Sequence, residues 1–275
     1  MDFMPEGTLH DYLKGARLAG GSTLPPVDRL RIAIHIAGSV ADLHTIDGTE
    51  TPSFFHNDLC CHQYLFQEGV FKLNDFNYAR PIYLNRDTRE PCPRTHFGMA
   101  YWKARSLEES AAAVQREAQR GRRRQRRSWQ ESARAARDGH FMPAPPDRID
   151  VWMMGNLIYY VLTDLYLFEK PQYLGTRRTA RALVAGERPA VPARIRDGGD
   201  PSHRAMLQAL DSCWRQRWQE RPSARSIADY LLRALRSITG EENPDLRVTL
   251  PERDPEQRHT ESDFERYNDN DDYDY

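Results

Sequence analysis

The sequence is short of net charge: across 275 residues, 39 Lys and Arg stand against 40 Asp and Glu, a formal charge of −1. Such a balance exerts no global pull toward nucleic acid or an acidic membrane surface. Cysteine is scarce, with Cys60 and Cys61 adjacent and Cys92 and Cys213 far apart, unlike the spaced framework of a small secreted domain. Reduced thiols in a cytoplasmic or nuclear protein are therefore expected. Cys60, Cys61 and His62 lack the spacing of roughly two to four residues that wraps a turn around zinc, so the expectation for them is a structural role. No basic flank followed by an apolar core stands at "MDFMPEGTLHDYL", so no signal peptide is read. No repeat recurs at solenoid periods. Long apolar runs are missing except from Val151 to Glu169. Asn156 and Asp164 interrupt that run, and Asp150 and Glu169 bound it, so a helix buried in a globular core is expected rather than a membrane span.

The chain is long enough for one large core or two modest ones. "MDFMPEGTLHDYLKGAR" reads as a strand end, a Pro-Glu-Gly turn and a helix starting near Thr8, with Thr8 and Asp11 as a capping pair. From Val27, the residues Leu30, Ile32, Ala33, Ile36, Ala37, Val40 and Leu43 recur at helical spacing, predicting a buried helix that ends near His44. "YLFQEGVFKLNDF" places two apolar runs around Gln67, Glu68 and Gly69, a hairpin signature. Asn74 to about Glu108 shows no sustained period. Further apolar helices are expected from Asp150 to Phe168, Pro201 to Trp214 and Ser223 to Ser237, with Trp152, Cys213 and Trp214 in the core. Charge is unevenly placed. The stretch from about 109 to 147 is rich in Ala, Glu, Gln and Arg with a thin apolar stripe, as a solvated helix or disordered insertion would be. Its basic run at 116–137 is a candidate nucleic-acid or nuclear-localisation segment, although Trp129 is its lone aromatic and base stacking calls for more. Residues 239–275 read as an acidic disordered tail.

Several motifs fall in a telling order. "HNDLCCHQ" is followed by the hairpin and "NDFN", then "ARSLEE", "DVWMMGNLIYYVLT" and "CWRQRWQERPSARSIADYL". Together they resemble the C-terminal lobe of the eukaryotic protein kinases over residues 1–238, with a tyrosine-kinase-like flavour in the Cys-Trp and Arg-Pro-Ser pattern. The fold this implies is mainly α, a kinase-like large lobe with a small β-hairpin beside the catalytic loop. "MDFMPEGTLHDYL" looks like the hinge and first helix, so Met1, Phe3 and Met4 would touch an adenine. Taken alone, Asp58 reads as a loop residue capping a turn. Within the ordered set it matches the family's catalytic Asp, which orients the acceptor hydroxyl. Asp75 matches the carboxylate that holds magnesium, and Gln63 stands where the family's catalytic loop has its metal-binding Asn. His56 would hold the loop by packing and hydrogen bonding, Glu108 would pair with Arg221, and Asp150 would accept hydrogen bonds from the catalytic-loop backbone. ATP and Mg are the implied cofactors.

The departures from the family pattern have physical consequences. Gln63 keeps an oxygen ligand but adds a methylene, where magnesium demands near-ideal octahedral geometry. Asn57 replaces an Arg that clamps an activation-loop phosphate, so no such switch is expected at Thr88 or Thr95. Asn77 replaces a glycine, and Asn is the next most tolerant of left-handed backbone. Leu107 replaces a Pro. The sequence as given starts at the hinge, with no Gly-rich loop or phosphate-binding lysine upstream, so it is expected to transfer phosphate poorly without a small lobe. Two readings follow. One is a phosphotransferase acting on protein Ser/Thr or Tyr; the other is an inactive pseudokinase lobe that serves as a protein-interaction scaffold.

Overall fold

The structure, a computed structural model, describes residues 7–18, 24–92, 110, 144–165, 167 and 176–250. Helix α1, Leu9–Leu18, opens on the expected cap. The Thr8 N–H donates to Asp11 Oδ2 at 2.9 Å, and the Asp11 N–H returns to Thr8 Oγ1 at 3.1 Å. The two residues thus satisfy each other's backbone donors in a reciprocal capping box. Helix α2, Pro26–His44, starts on a proline whose missing N–H costs nothing in the first turn, with Asp28 facing the positive end of the dipole. It is the central helix. Leu30, Ile32, Ala33, Ile36, Ala37 and Val40 have no exposed surface, because neighbours pack around most of its circumference.

Among the described residues, four short strands follow. β1 (Phe54–Phe55) pairs antiparallel with β4 (Arg80–Pro81), and β2 (Tyr64–Gln67) pairs antiparallel with β3 (Val70–Leu73). The second pair is the expected hairpin. Its turn places Glu68 and Gly69 at φ 52° and 84°, the left-handed pair that matches the twist of the strands. Gly69 is required twice over, since a Cβ there would also meet Arg247 Cβ at 2.9 Å.

Helices α3 (Pro146–Thr163), α4 (Thr176–Val184), α5 (Ala193–Arg196), α6 (Pro201–Cys213) and α7 (Ala224–Thr239) complete the body. α3 is buried around nearly its whole circumference, as a helix enclosed by others must be. It approaches α6 closely at Gly155, where a Cβ would fall 2.7 Å from Cys213 Cβ. Beside that contact the Trp214 indole N–H donates to Asn156 Oδ1 at 2.9 Å. α7 buries Ala224, Ile227, Ala228, Leu231 and Leu235 along one stripe against α2 and α6. The core joins α2, α3, α6 and α7, and the hairpin lies against α2. Trp152, Cys213 and Trp214 are in that core, as expected. Among the described residues no helix is long and apolar enough to cross a membrane.

The structure corrects several boundaries. α3 begins at Pro146, inside the stretch assigned to the insertion, and stops at Thr163 instead of running to Phe168. The stop is physical: Asp164 takes a left-handed conformation at φ 59°, fixed by a bidentate pair with Arg29. The short helices α4 and α5 were not foreseen. Disorder does not set in at 239, since residues 241–250 fold back onto the body. The Val248 N–H donates to Gly69 O at 2.9 Å, and Val248 is 4% exposed. Leu246 and Val248 give this acidic stretch enough apolar surface to dock beside the hairpin. Met1, Phe3, Met4, Glu108, Thr95, the basic run at 116–137 and the acidic tail from 251 lie outside the described residues.

Candidate functional site

The loop from His56 to Cys60 leaves β1, forms a single 3-10 turn at Cys61–Gln63 and enters β2. Its position is set from below by Asp150 in the first turns of α3. Asp150 Oδ2 accepts the His56 N–H at 2.7 Å and Nε2 of His44 at 3.2 Å, and Oδ1 accepts the Asn57 N–H at 3.1 Å. Asp150 is 1% exposed, so this carboxylate is stable there only because three donors replace its water. Asn57 sits at φ 71°, a left-handed conformation that Asn tolerates better than other side-chain-bearing residues.

A second set of bonds ties this loop to the segment after β3. Nε2 of the fully buried His56 lies 3.0 Å from Asn74 O and donates to it, while Nδ1 accepts the Asp58 N–H at 3.3 Å. The Asn74 N–H donates to Gln63 O at 2.8 Å, and Asn57 Nδ2 donates to Tyr78 O at 3.3 Å. The His56 ring meets Phe76 edge-on at 5.4 Å. Residues 56–63 and 74–78 therefore form one rigid unit, with Asp58 and Asp75 on neighbouring strands of backbone.

Each carboxylate shows strain. Burial pushes the Asp58 carboxyl above its ordinary value. Gln63 and the nearby His56 oppose that shift, and the negative charge of Asp75 adds to it. Gln63 Nε2 donates to Asp58 Oδ2 at 2.9 Å. Asp75 occupies a left-handed conformation, φ 58° and ψ 69°, uncommon for a residue other than glycine. Its Oδ1 is buried and has no hydrogen-bond partner, and the same holds for Asn57 Oδ1. A buried carboxylate oxygen left without a donor, as on Asp75, suits a hard divalent cation. On that test the Asp75 carboxylate fits magnesium. Gln63 fits less well, because its bond to Asp58 fixes the amide's orientation and its longer arm must still place the amide oxygen, the one atom that can ligate, in a strict octahedron.

Of the residues singled out in the sequence, Asp58, Gln63, Asp75, His56 and Asp150 are brought together. Arg221 is elsewhere, 2% exposed behind α3, where its guanidinium donates to Arg148 O and Arg215 O and lies 4.8 Å over the Trp152 ring. Its expected partner Glu108, and the hinge residues Met1, Phe3 and Met4, are outside the described residues. Sequence reasoning missed His44 and Asn74, both of which position the loop. His44 carried a faint signal as the polar residue that closes the long helix. Asn74 carried none, since it acts through its backbone.

No protein-family model matches the chain, and no curated protein matches it.

Proposed function

We propose that the chain is the large lobe of a protein-kinase-like phosphotransferase that passes the γ-phosphoryl group of ATP to a protein Ser/Thr or Tyr hydroxyl. The observation that carries this reading is the stitched pair of segments bearing Asp58 and Asp75. Asp150 fixes the first, His56 bridges it to the second, and a buried unpartnered oxygen remains on Asp75. Phosphoryl transfer leaves a protein little covalent chemistry to do, so positioned charge is the main requirement.

In this reading Asp58 accepts a hydrogen bond from the acceptor hydroxyl and orients its oxygen for in-line attack. Its raised carboxyl makes it a better proton acceptor than an exposed Asp. Asp75, with Gln63 beside it, would hold magnesium, which when bound neutralises phosphate charge. Met1, Phe3 and Met4 would line the adenine side, and the phosphate-covering parts belong to a small lobe. A cytoplasmic or nuclear site of action fits the sparse cysteines.

A second reading is favoured by one contact. The Gln63 amide donates to Asp58 Oδ2, the carboxylate that an acceptor hydroxyl needs. A lobe in which that bond persists is an inactive scaffold that presents its surface to a protein partner. Thermal melting of the purified chain with millimolar Mg-ATP, alongside phosphate transfer to a mixed protein substrate, tests the proposal. A ligand raises stability only through affinity for the folded state. A melting shift lost in Asp75→Asn, with the weak transfer of the lone lobe abolished in Asp58→Asn, is the expected result. No shift, or transfer that survives Asp58→Asn, overturns it in favour of the scaffold.

A further inference from the structure

His10 and His62 are stacked, with ring centroids 3.9 Å apart and planes inclined by 22°. Cys61 Sγ lies 3.5 Å from His10 Nδ1. One ligand atom from each of His10, Cys61 and His62 falls within 4.8 Å of the others. We infer that these three side chains form a binding site for one zinc-class ion, which fastens α1 to the loop that carries Asp58. This goes beyond the phosphotransferase reading and stands or falls separately from it.

Adjacent ligands alone do not wrap an ion, which is why the sequence gives Cys61 and His62 no metal role. The fold supplies what the spacing lacks. The 3-10 turn at Cys61–Gln63 packs against α1, and α1 brings His10 across from 51 residues earlier in the chain. With Zn–S near 2.3 Å and Zn–N near 2.05 Å, a tetrahedral site has sulfur–nitrogen edges of about 3.6 Å and nitrogen–nitrogen edges of about 3.3 Å. The Cys61–His10 separation already matches the first edge, and turning the stacked imidazoles so that their in-plane lone pairs converge brings the remaining ligand atoms, now within 4.8 Å, to that spacing.

The chemistry of the donors selects the ion. One sulfur and two imidazole nitrogens suit a borderline-soft cation, whereas magnesium prefers oxygen. Burial pushes the His62 imidazole below its ordinary value, which keeps it neutral and ready to ligate. Two stacked rings also coexist best when neither is charged. The negative charge of Asp11 reaches both Cys61 and His62 and favours a cation between them. Burial pushes the Cys61 thiol upward, so in the absence of an ion the sulfur holds its proton. Binding replaces that proton: the S–H bond breaks, a sulfur–metal bond forms, and one proton passes to solvent for each ion bound. Three protein ligands leave a fourth position for water.

Cobalt(II) titration of the reduced, chelator-treated chain tests the site, because thiolate coordination gives a near-ultraviolet charge-transfer band. The expected result is a one-to-one band that zinc displaces, with one proton released per ion. Cys61→Ser should abolish the band, and His10→Ala should weaken binding at least roughly tenfold. Cys60→Ser and Cys213→Ser should retain it. Circular dichroism checks each variant, and His10→Ala, on a short peripheral helix, serves if Cys61→Ser fails to fold. Absence of the band, or a band that survives Cys61→Ser and His10→Ala, overturns the assignment. Loss of Mg-ATP binding does not bear on it.

Discussion

The backbone N–H of His56 donates to the Asp150 carboxylate at 2.7 Å, joining residues 94 apart in the chain. The same carboxylate takes the Asn57 N–H and His44 Nε2, so both of its oxygens are engaged. Asp150→Asn turns an acceptor into an N–H₂ that must face one of those donors. The expected cost is about 2–4 kcal/mol, the loss of charge-assisted bonds plus a buried donor left unpaired. Urea unfolding measures it, and an unchanged midpoint would show that the loop does not depend on this anchor.

Arg29 and Asp164 form a buried bidentate pair, with Nη1 to Oδ1 at 3.0 Å and Nη2 to Oδ2 at 2.7 Å. Nη1 also donates to Val161 O, so the guanidinium closes the carboxyl end of α3 as well as pinning Asp164. Asp164→Asn tolerates the left-handed backbone but leaves an uncompensated buried cation. It should cost about 3–5 kcal/mol. The double variant Arg29→Met with Asp164→Asn should recover part of the loss, and strict additivity in the cycle would contradict direct coupling.

His35 gives the fold a dependence on acid. Its Nε2 donates to Leu246 O at 2.9 Å and its Nδ1 accepts the Phe71 N–H at 3.4 Å, which requires the neutral ring. Burial lowers its pKa from 6.5 to about 4, despite the bond to Leu246. The unfolded chain therefore binds this proton before the folded one does. Stability from His35 is complete above pH 6.5 and drains away as pH falls toward 4, by on the order of 3 kcal/mol at most. His35→Gln should flatten that part of the stability–pH curve. An unaltered acid limb in the variant would assign the dependence to other groups.

Legibility in the sequence tracks locality. α2, α6, α7 and the hairpin announce themselves through periodicity, a cap or a turn, because each signal sits within one or two helical turns of the residues it governs. α3 was visible in its apolar run, but its end was not, since the Arg29 contact that stops it spans 135 residues. Residues 241–250 read as tail because the average composition is acidic. Leu246, Val248 and Leu250 pack against the core, a contact that composition cannot reveal. Motif order alone singled out Asp58, Asp75 and Asp150, which the fold brings near one another. The role of Gln63 was legible only in part, for nothing in the sequence shows its amide turned toward Asp58.

Gln63→Asn separates the two functional readings. The shorter side chain withdraws its N–H from Asp58 Oδ2, now 2.9 Å away, and draws the amide oxygen back toward the loop backbone. Without a cation this should cost about 1 kcal/mol, the worth of one hydrogen bond to a charged acceptor in a half-buried place. It also removes the donor that restrains the Asp58 carboxyl, which moves further above its ordinary range, so the variant loses stability as pH rises through that group's titration. If the site holds magnesium and nucleotide, the freed carboxylate and the shorter arm should enlarge the Mg-ATP melting shift relative to the parent chain, while Asp75→Asn removes it. If the lobe is a scaffold, Gln63→Asn lowers the melting temperature by about 2–4 °C and Mg-ATP moves neither protein. A shift that is present in the parent and unchanged by Gln63→Asn would mean that this side chain neither ligates the ion nor blocks Asp58.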